Sequence, residues 1–187
     1  VWHLKMEECV KEFWGNSSRD YRFKQWEKSP IARFDYILTK KMLLRFLKPS
    51  NNDSILEIGC GPGTWTRIVS ERCKKIAAVD ISKGMINEAE KYCKHKNICF
   101  IRKDFMKLRF NQKFDKIFAV RSIEYVKDKS GLLRKVSSLL KSNGIIVLIT
   151  KNKPCLWDAM KKEKNFWQDK ISPKDLKELC EKTGFSN

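Results

Sequence analysis

The sequence predicts an α/β fold, a Rossmann-like doubly wound parallel sheet carrying an N-terminal helical cap. Three observations predict it. Five short apolar runs alternate with stretches of helical period, the pattern of successive βα units. The first run, Ile55-Leu56-Glu57-Ile58, meets a glycine turn, Gly59-Cys60-Gly61-Pro62-Gly63, with a helix opening at Thr64. Two later runs also end in a carboxylate, at Asp80 and Asp104.

The elements follow in order. Residues 2–14 set Trp2, Met6, Cys9, Val10 and Phe13 on one helical face, an amphipathic, lid-like helix. Gly15-Asn16-Ser17-Ser18 breaks it. Ser29-Pro30 starts a second helix, with serine as the cap and proline in the first turn. Ile31, Phe34, Leu38, Met42 and Leu43 are expected along its inner face, and Pro49 to Asp53 ends it. Strands are predicted at 54–58, 75–79, 97–101, 115–120 and 144–150. Helices are predicted at 64–73, 82–95, 130–141 and 173–183. Buried strands alternating with helices imply a parallel sheet covered on both faces.

At 187 residues, with 42% hydrophobic residues, the chain is sized for a single domain. Residues 1–48 would be the cap and 49–187 the core. No apolar run reaches the roughly 18–20 residues that span a bilayer. Seven cysteines are an odd number without a C-x-x-C pair, so buried free thiols in a reducing cytoplasm are expected and no metal site. The net charge of +18 points to an acidic partner, and nucleic acid stays open as one. Yet Lys91, Lys94, Lys96, Arg102, Lys103, Lys107, Arg109, Lys127, Lys129, Arg134 and Lys135 are dispersed, as on a solvated surface.

The glycine turn reads as a nucleotide cradle. Its pattern is G-x-G-x-G, not the dinucleotide G-x-G-x-x-G. Pro62 removes an amide donor and Thr64 stands at the third glycine position. Glu57 would repel a pyrophosphate and attract a cationic ligand. S-adenosylmethionine, with a sulfonium and an ammonium, is such a ligand. Asp80, 21 residues after Gly59, is placed to accept from both ribose hydroxyls. Asp104 would accept from the adenine amino group while Phe105 stacks on the ring.

The segments LEIGCGPGTWT (56–66), AAVDIS (77–82), IRKDF (101–105), FDKIFAVRSIEYV (114–126) and NGIIVLIT (143–150) resemble class I S-adenosylmethionine-dependent methyltransferases of the small, type 11-like kind. The resemblance covers roughly residues 20 to 185. It implies cofactor contacts from Tyr21, Glu57, Gly59, Gly61, Gly63, Asp80, Ile81, Met85, Asp104, Phe105 and Arg121. It also implies an entry segment around Tyr21 and Trp26 that closes over the methionine end. Two further strands, 6 and 7, follow in the family as an antiparallel hairpin and are absent from this sequence.

Relatives often carry Glu-His after the fourth strand; here Glu124-Tyr125 stands instead. These two are the catalytic candidates, by positioning or polarising the acceptor, since no imidazole is at hand. His95 is expected to be solvated, and His3 lies in the cap. The Asn/Asp-Pro-Pro-Tyr/Phe quartet of amino-methylating nucleic-acid enzymes is replaced by Ala119-Val120-Arg121-Ser122. A small-molecule, lipid or glycan acceptor is therefore the leading expectation. The alternatives are tRNA as acceptor, or a paralogue that binds the cofactor without catalysis.

Overall fold

The computed structural model describes residue 18, residues 20–151 and residues 170–186. The amphipathic helix expected at 2–14, with His3 and Cys9, lies outside the described residues, as does Cys155. A π-turn at Phe23–Glu27, not anticipated from sequence, leads into α1 (Pro30–Leu47). The core then alternates β1 (Ser54–Ile58), α2 (Thr64–Ser70), β2 (Lys75–Asp80), α3 (Lys83–Tyr92) and β3 (Ile98–Arg102). It continues through β4 (Phe114–Val120), α4 (Lys129–Leu139), β5 (Leu140–Ile149) and α5 (Pro173–Lys182).

All described strand pairs are parallel, in the order β3-β2-β1-β4-β5. The order reverses between β1 and β4, which opens a crevice at the strands' carboxyl ends. Central β1 is buried along its whole length, as a strand covered on both faces must be. Its side chains alternate between two cores. Leu56 and Ile58 pack with Ile117, Leu132 and Val136, while Ile55 packs with Phe118, Val69, Leu43 and Leu47. In β5, continuous pairing with β4 runs from Ile145 to Ile149 after a register shift near Phe114 and Lys116, close to the predicted start at 144.

The cap of α1 forms as its sequence dictates: Ser29 Oγ accepts from Ala32 N at 3.2 Å, and Pro30 occupies the first turn. Its expected inner face holds at Leu43 and is corrected at the other four positions. Ile31, Phe34, Leu38 and Met42 are exposed, and the buried residues are Thr39, Leu43 and Leu47. Both stripes have helical spacing, so periodicity alone did not separate them. The buried stripe is the one that meets the Ile55, Trp65 and Phe118 side of the sheet. Full burial of Leu43 and Leu47 contributes roughly 1.5–3 kcal/mol each.

Cys60, Cys73 and Cys93 are buried free thiols, whereas Cys99 is exposed on β3 near the sheet edge. Two of the lysines assigned to a solvated surface are not on one. Lys129 is buried and donates to Val126 O at 3.0 Å. Lys135 donates to three backbone carbonyls, of Phe105, Met106 and Leu108. No helix among the described residues is long and apolar enough to cross a membrane.

Candidate functional site

A cavity of about 430 Å³ opens at the carboxyl ends of β1, β2, β3 and β4. That volume lies within the roughly 300–1,000 Å³ of small-molecule sites. Its floor is the turn between β1 and α2. Gly59 N and Cys60 N both donate to Val79 O, at 2.8 and 3.0 Å, which folds the turn back on β2. Gly59 has φ +71°, and a Cβ there would land on Ser122 Cβ. Ser122 in turn donates its hydroxyl to Ile58 O at 2.6 Å. Gly61, with φ +52°, has nothing within 4 Å of where its Cβ would be, so this loop presents bare backbone to open space.

Asp80 closes the turn from below. Its Oδ2 accepts from Gly61 N at 2.8 Å and its Oδ1 from Ser82 N at 2.9 Å. Burial pushes its carboxyl above the ordinary aspartate range, against those same hydrogen bonds. Ile81 and Met85 continue this wall. Asp104 and Phe105 form the next. Asp104 Oδ1 accepts from Met106 N at 2.9 Å, and Phe105 is buried with the Lys135 ammonium 4.9 Å from its ring centroid. Desolvation lowers the Lys135 pKa. Sequence reasoning missed this lysine, whose grip on carbonyls about thirty residues away leaves no local signal.

Opposite stand Tyr21, Trp26, Arg121 and Tyr125. Arg121 adopts φ +52°, donates its backbone N–H to Ile149 O at 2.7 Å, and pairs with Asp35 of α1 at 2.5 Å. Its guanidinium lies 4.7 Å from the centre of the Trp26 ring. Burial, then the neighbouring Tyr125, raises the Tyr21 phenol pKa. Trp26 is only 3% exposed and packs edge-on against Trp65 at 5.0 Å. Trp26 thus lines the cavity beside Tyr21 while its ring is held against Trp65. The rest of the expected lid, residues 1–17, lies outside the described residues.

Thus Tyr21, Gly59, Gly61, Asp80, Ile81, Met85, Asp104, Phe105, Arg121 and Tyr125 meet around one cavity. Three expected site residues do not line it. Strand alternation turns Glu57 to the Ile55 face, where it is 1% exposed and accepts from Thr66 Oγ1 at 2.5 Å. Desolvation pushes its pKa up to about 8, against the Thr66 hydrogen bond, which favours the carboxylate. Gly63 faces α3, where a Cβ would stand 2.7 Å from Cys93 Sγ. Its role there is close packing of the two helices. Glu124 is 1% exposed, accepts from Lys151 N at 3.0 Å through Oε1, and has its other oxygen buried without a partner among the described residues.

His95 is exposed, lies off the cavity and contacts Ser70 Oγ through Nδ1 at 2.7 Å. No described histidine therefore lines the cavity wall. Among the described residues no cluster of three or more His, Cys, Asp or Glu is placed to ligate a metal ion.

Comparison with known proteins matches residues 21–187 to a family described as a methyltransferase domain. The chain is similar to malonyl-[acyl-carrier protein] O-methyltransferase 2 of Ilyobacter polytropus, 31% identical over 137 residues, 68% of this chain and 53% of that protein. It is similar to ubiquinone biosynthesis O-methyltransferase of Pelagibacter ubique, 28% identical over 155 residues, 80% of this chain and 63% of that one. Among solved structures it is similar to the DhpI–SAH complex, with TM-score 0.72 and 22% identity, covering 96% of this chain and 87% of that chain. This chain spans about half the length of the curated relatives it matches.

Proposed function

Since this chain belongs to the methyltransferase domain family, we propose that it transfers a methyl group from S-adenosylmethionine to a small-molecule, lipid or glycan acceptor by in-line displacement. The observation that carries the proposal is the single cavity wall uniting the open Gly61 loop with Asp80 and Asp104.

The residues present fit this cofactor. Gly61 leaves room for a ligand against the backbone. Asp80 is fixed by two backbone N–H groups, and a carboxylate has about four acceptor sites, so lone pairs remain for two ribose hydroxyls. Phe105 and Met106 offer an apolar wall to a base, and Asp104 an acceptor at its edge. When bound, the cofactor supplies the activated methyl group and its leaving group.

What this chain's own residues do is hold, align and dry the site. Trp26 and Trp65 close one side with ring surface. Tyr125 and Arg121 stand on the β4 side, where an acceptor would be held. With Glu124 turned toward Lys151, Tyr125 remains as the expected catalytic residue, by orienting the acceptor. Alignment and water exclusion are worth several kcal/mol of barrier. The relatives divide between acceptors, some named for malonyl-[acyl-carrier protein] and ubiquinone and others for ribosomal RNA. The acceptor class therefore rests on Ala119-Val120-Arg121-Ser122 standing where amino-methylating nucleic-acid enzymes carry their Asn/Asp-Pro-Pro-Tyr/Phe quartet.

Calorimetry with S-adenosylhomocysteine and with NADH tests the cofactor; binding of NADH alone would end this reading. A screen of metabolite, lipid and RNA pools with methyl-labelled cofactor tests the acceptor. Label confined to RNA would replace the acceptor class.

A further inference from the structure

The outward face of α1 is apolar and positively charged. Ile31, Phe34, Leu38, Met42 and Phe46 recur at three- and four-residue spacing and remain 38–75% exposed, with Ile37 beside them at 61%. Of the eight exposed large hydrophobic side chains among the described residues, seven fall between Phe23 and Phe46. Apolar side chains scattered singly over a surface are ordinary. Their concentration on one helix marks a contact surface. Arg33, Lys41 and Arg45 are exposed among them. Asp35, the sole acid of the helix, is held by Arg121.

We propose that this face of α1 docks on an anionic membrane surface. The apolar stripe would enter the boundary between headgroups and acyl chains while Arg33, Lys41 and Arg45 meet lipid phosphates, as in basic amphipathic helices lying in the interface plane. Charge complementarity selects this occupant. Two copies each of net charge +18 would bring like-charged faces together. A nucleic acid would use the charge but leave Ile31, Ile37, Leu38 and Met42 unpaired, since aliphatic side chains do not stack on bases as aromatic rings do. Eighteen residues give a helix about 27 Å long, enough to lie flat along the surface. The inference is independent of the methyl-transfer reading, although Asp35 and Trp26 tie this helix to the cavity wall.

The test is co-sedimentation of the full chain with phosphatidylcholine vesicles, with and without phosphatidylglycerol. Binding is expected only to the anionic vesicles and should weaken as salt rises. The double variant Phe34→Glu/Leu38→Glu should lower the partition coefficient by about tenfold or more, with an unchanged thermal midpoint because both side chains are exposed. Should that variant fail to fold, Ile31→Gln at the most exposed position reads the same loss. Several outcomes would overturn the proposal: no sedimentation of the wild-type chain with anionic vesicles, equal binding by the folded variants, or retention on RNA without retention on vesicles. Dimers in vesicle-free solution that the double variant dissolves would assign the face to a second copy. Protection of Phe34 and Met42 from hydroxyl-radical labelling in the free chain would show the face already covered by the chain itself.

Discussion

Arg121 and Asp35, 86 positions apart, pair at 2.5 Å and so join the loop after β4 to helix α1. The pair is partly exposed, its side chains 18% and 35% accessible, so solvent screens it. A double-mutant cycle of Arg121→Ala and Asp35→Ala should give a coupling on the order of 1 kcal/mol in stability. Additive effects would mean that the ion pair contributes nothing beyond the packing of Arg121 on Trp26.

Asp80→Ala should weaken S-adenosylhomocysteine binding by about 1.5–3 kcal/mol, the range of charge-assisted hydrogen bonds. It also frees Gly61 N and Ser82 N, so a loss of about 1 kcal/mol in folding stability is expected alongside. Isothermal calorimetry on protein checked by urea unfolding separates the two. Unchanged affinity would remove Asp80 from the ribose role.

The two cradle glycines should fail in different ways. Gly59→Ala pushes a methyl group into Ser122 and should lower stability first, by several kcal/mol. Gly61→Val meets open space and should lose cofactor binding while retaining much of its stability, apart from about 1 kcal/mol or more of left-handed backbone strain. Retained binding in Gly61→Val would place the cradle elsewhere.

Glu57 makes stability depend on pH. Its folded pKa is about 8 against an ordinary value of 4.5. The folded protein keeps a proton that the unfolded chain releases in that window. This contribution is full below the unfolded value and is lost as pH rises toward the folded one. The slope should reach at most about 1.4 kcal/mol per pH unit. Asp80, also raised by burial, acts in the same direction. Urea midpoints across the window should fall less steeply for Glu57→Gln than for wild type. Parallel slopes would show that Glu57 ionises normally.

Lys135→Met should cost about 1.5–3 kcal/mol through the orphaned carbonyls of Phe105, Met106 and Leu108. Cofactor affinity should drop with it, because those carbonyls hold the Asp104–Phe105 wall. Hydrogen exchange at Lys107 and Leu108, whose amides bond back to Asp104 and Phe105, is the direct readout. Unchanged protection there would show that the loop holds its own shape.

The glycine turn and the strand-end aspartates were legible because local rules govern them: an apolar run, a turn that needs positive φ, and acids at strand ends. Glu57 and Glu124 were misplaced for a different reason. Whether a carboxylate faces a cavity or a helix depends on a strand's alternation and on a neighbour such as Thr66 or Lys151. Helix α1 offered two apolar stripes, and only the sheet decided which was buried. The Lys135 carbonyl cage and the Arg121–Asp35 pair are meetings of distant segments, and no spacing in the chain announces them.

The lock between Gly59 and Ser122 limits how this protein can diverge. Gly59 cannot gain even a methyl group while Ser122 Cβ stands 2.3 Å from its place, and its φ of +71° disfavours any side chain, so that position is closed to single steps. Tyr125 to Asp128 line the same cavity farther along this loop and lie outside the space that a Cβ at Gly59 would enter, so changes in acceptor preference are expected to collect there. Lineages descending from this chain should vary there while Gly59 stays as it is.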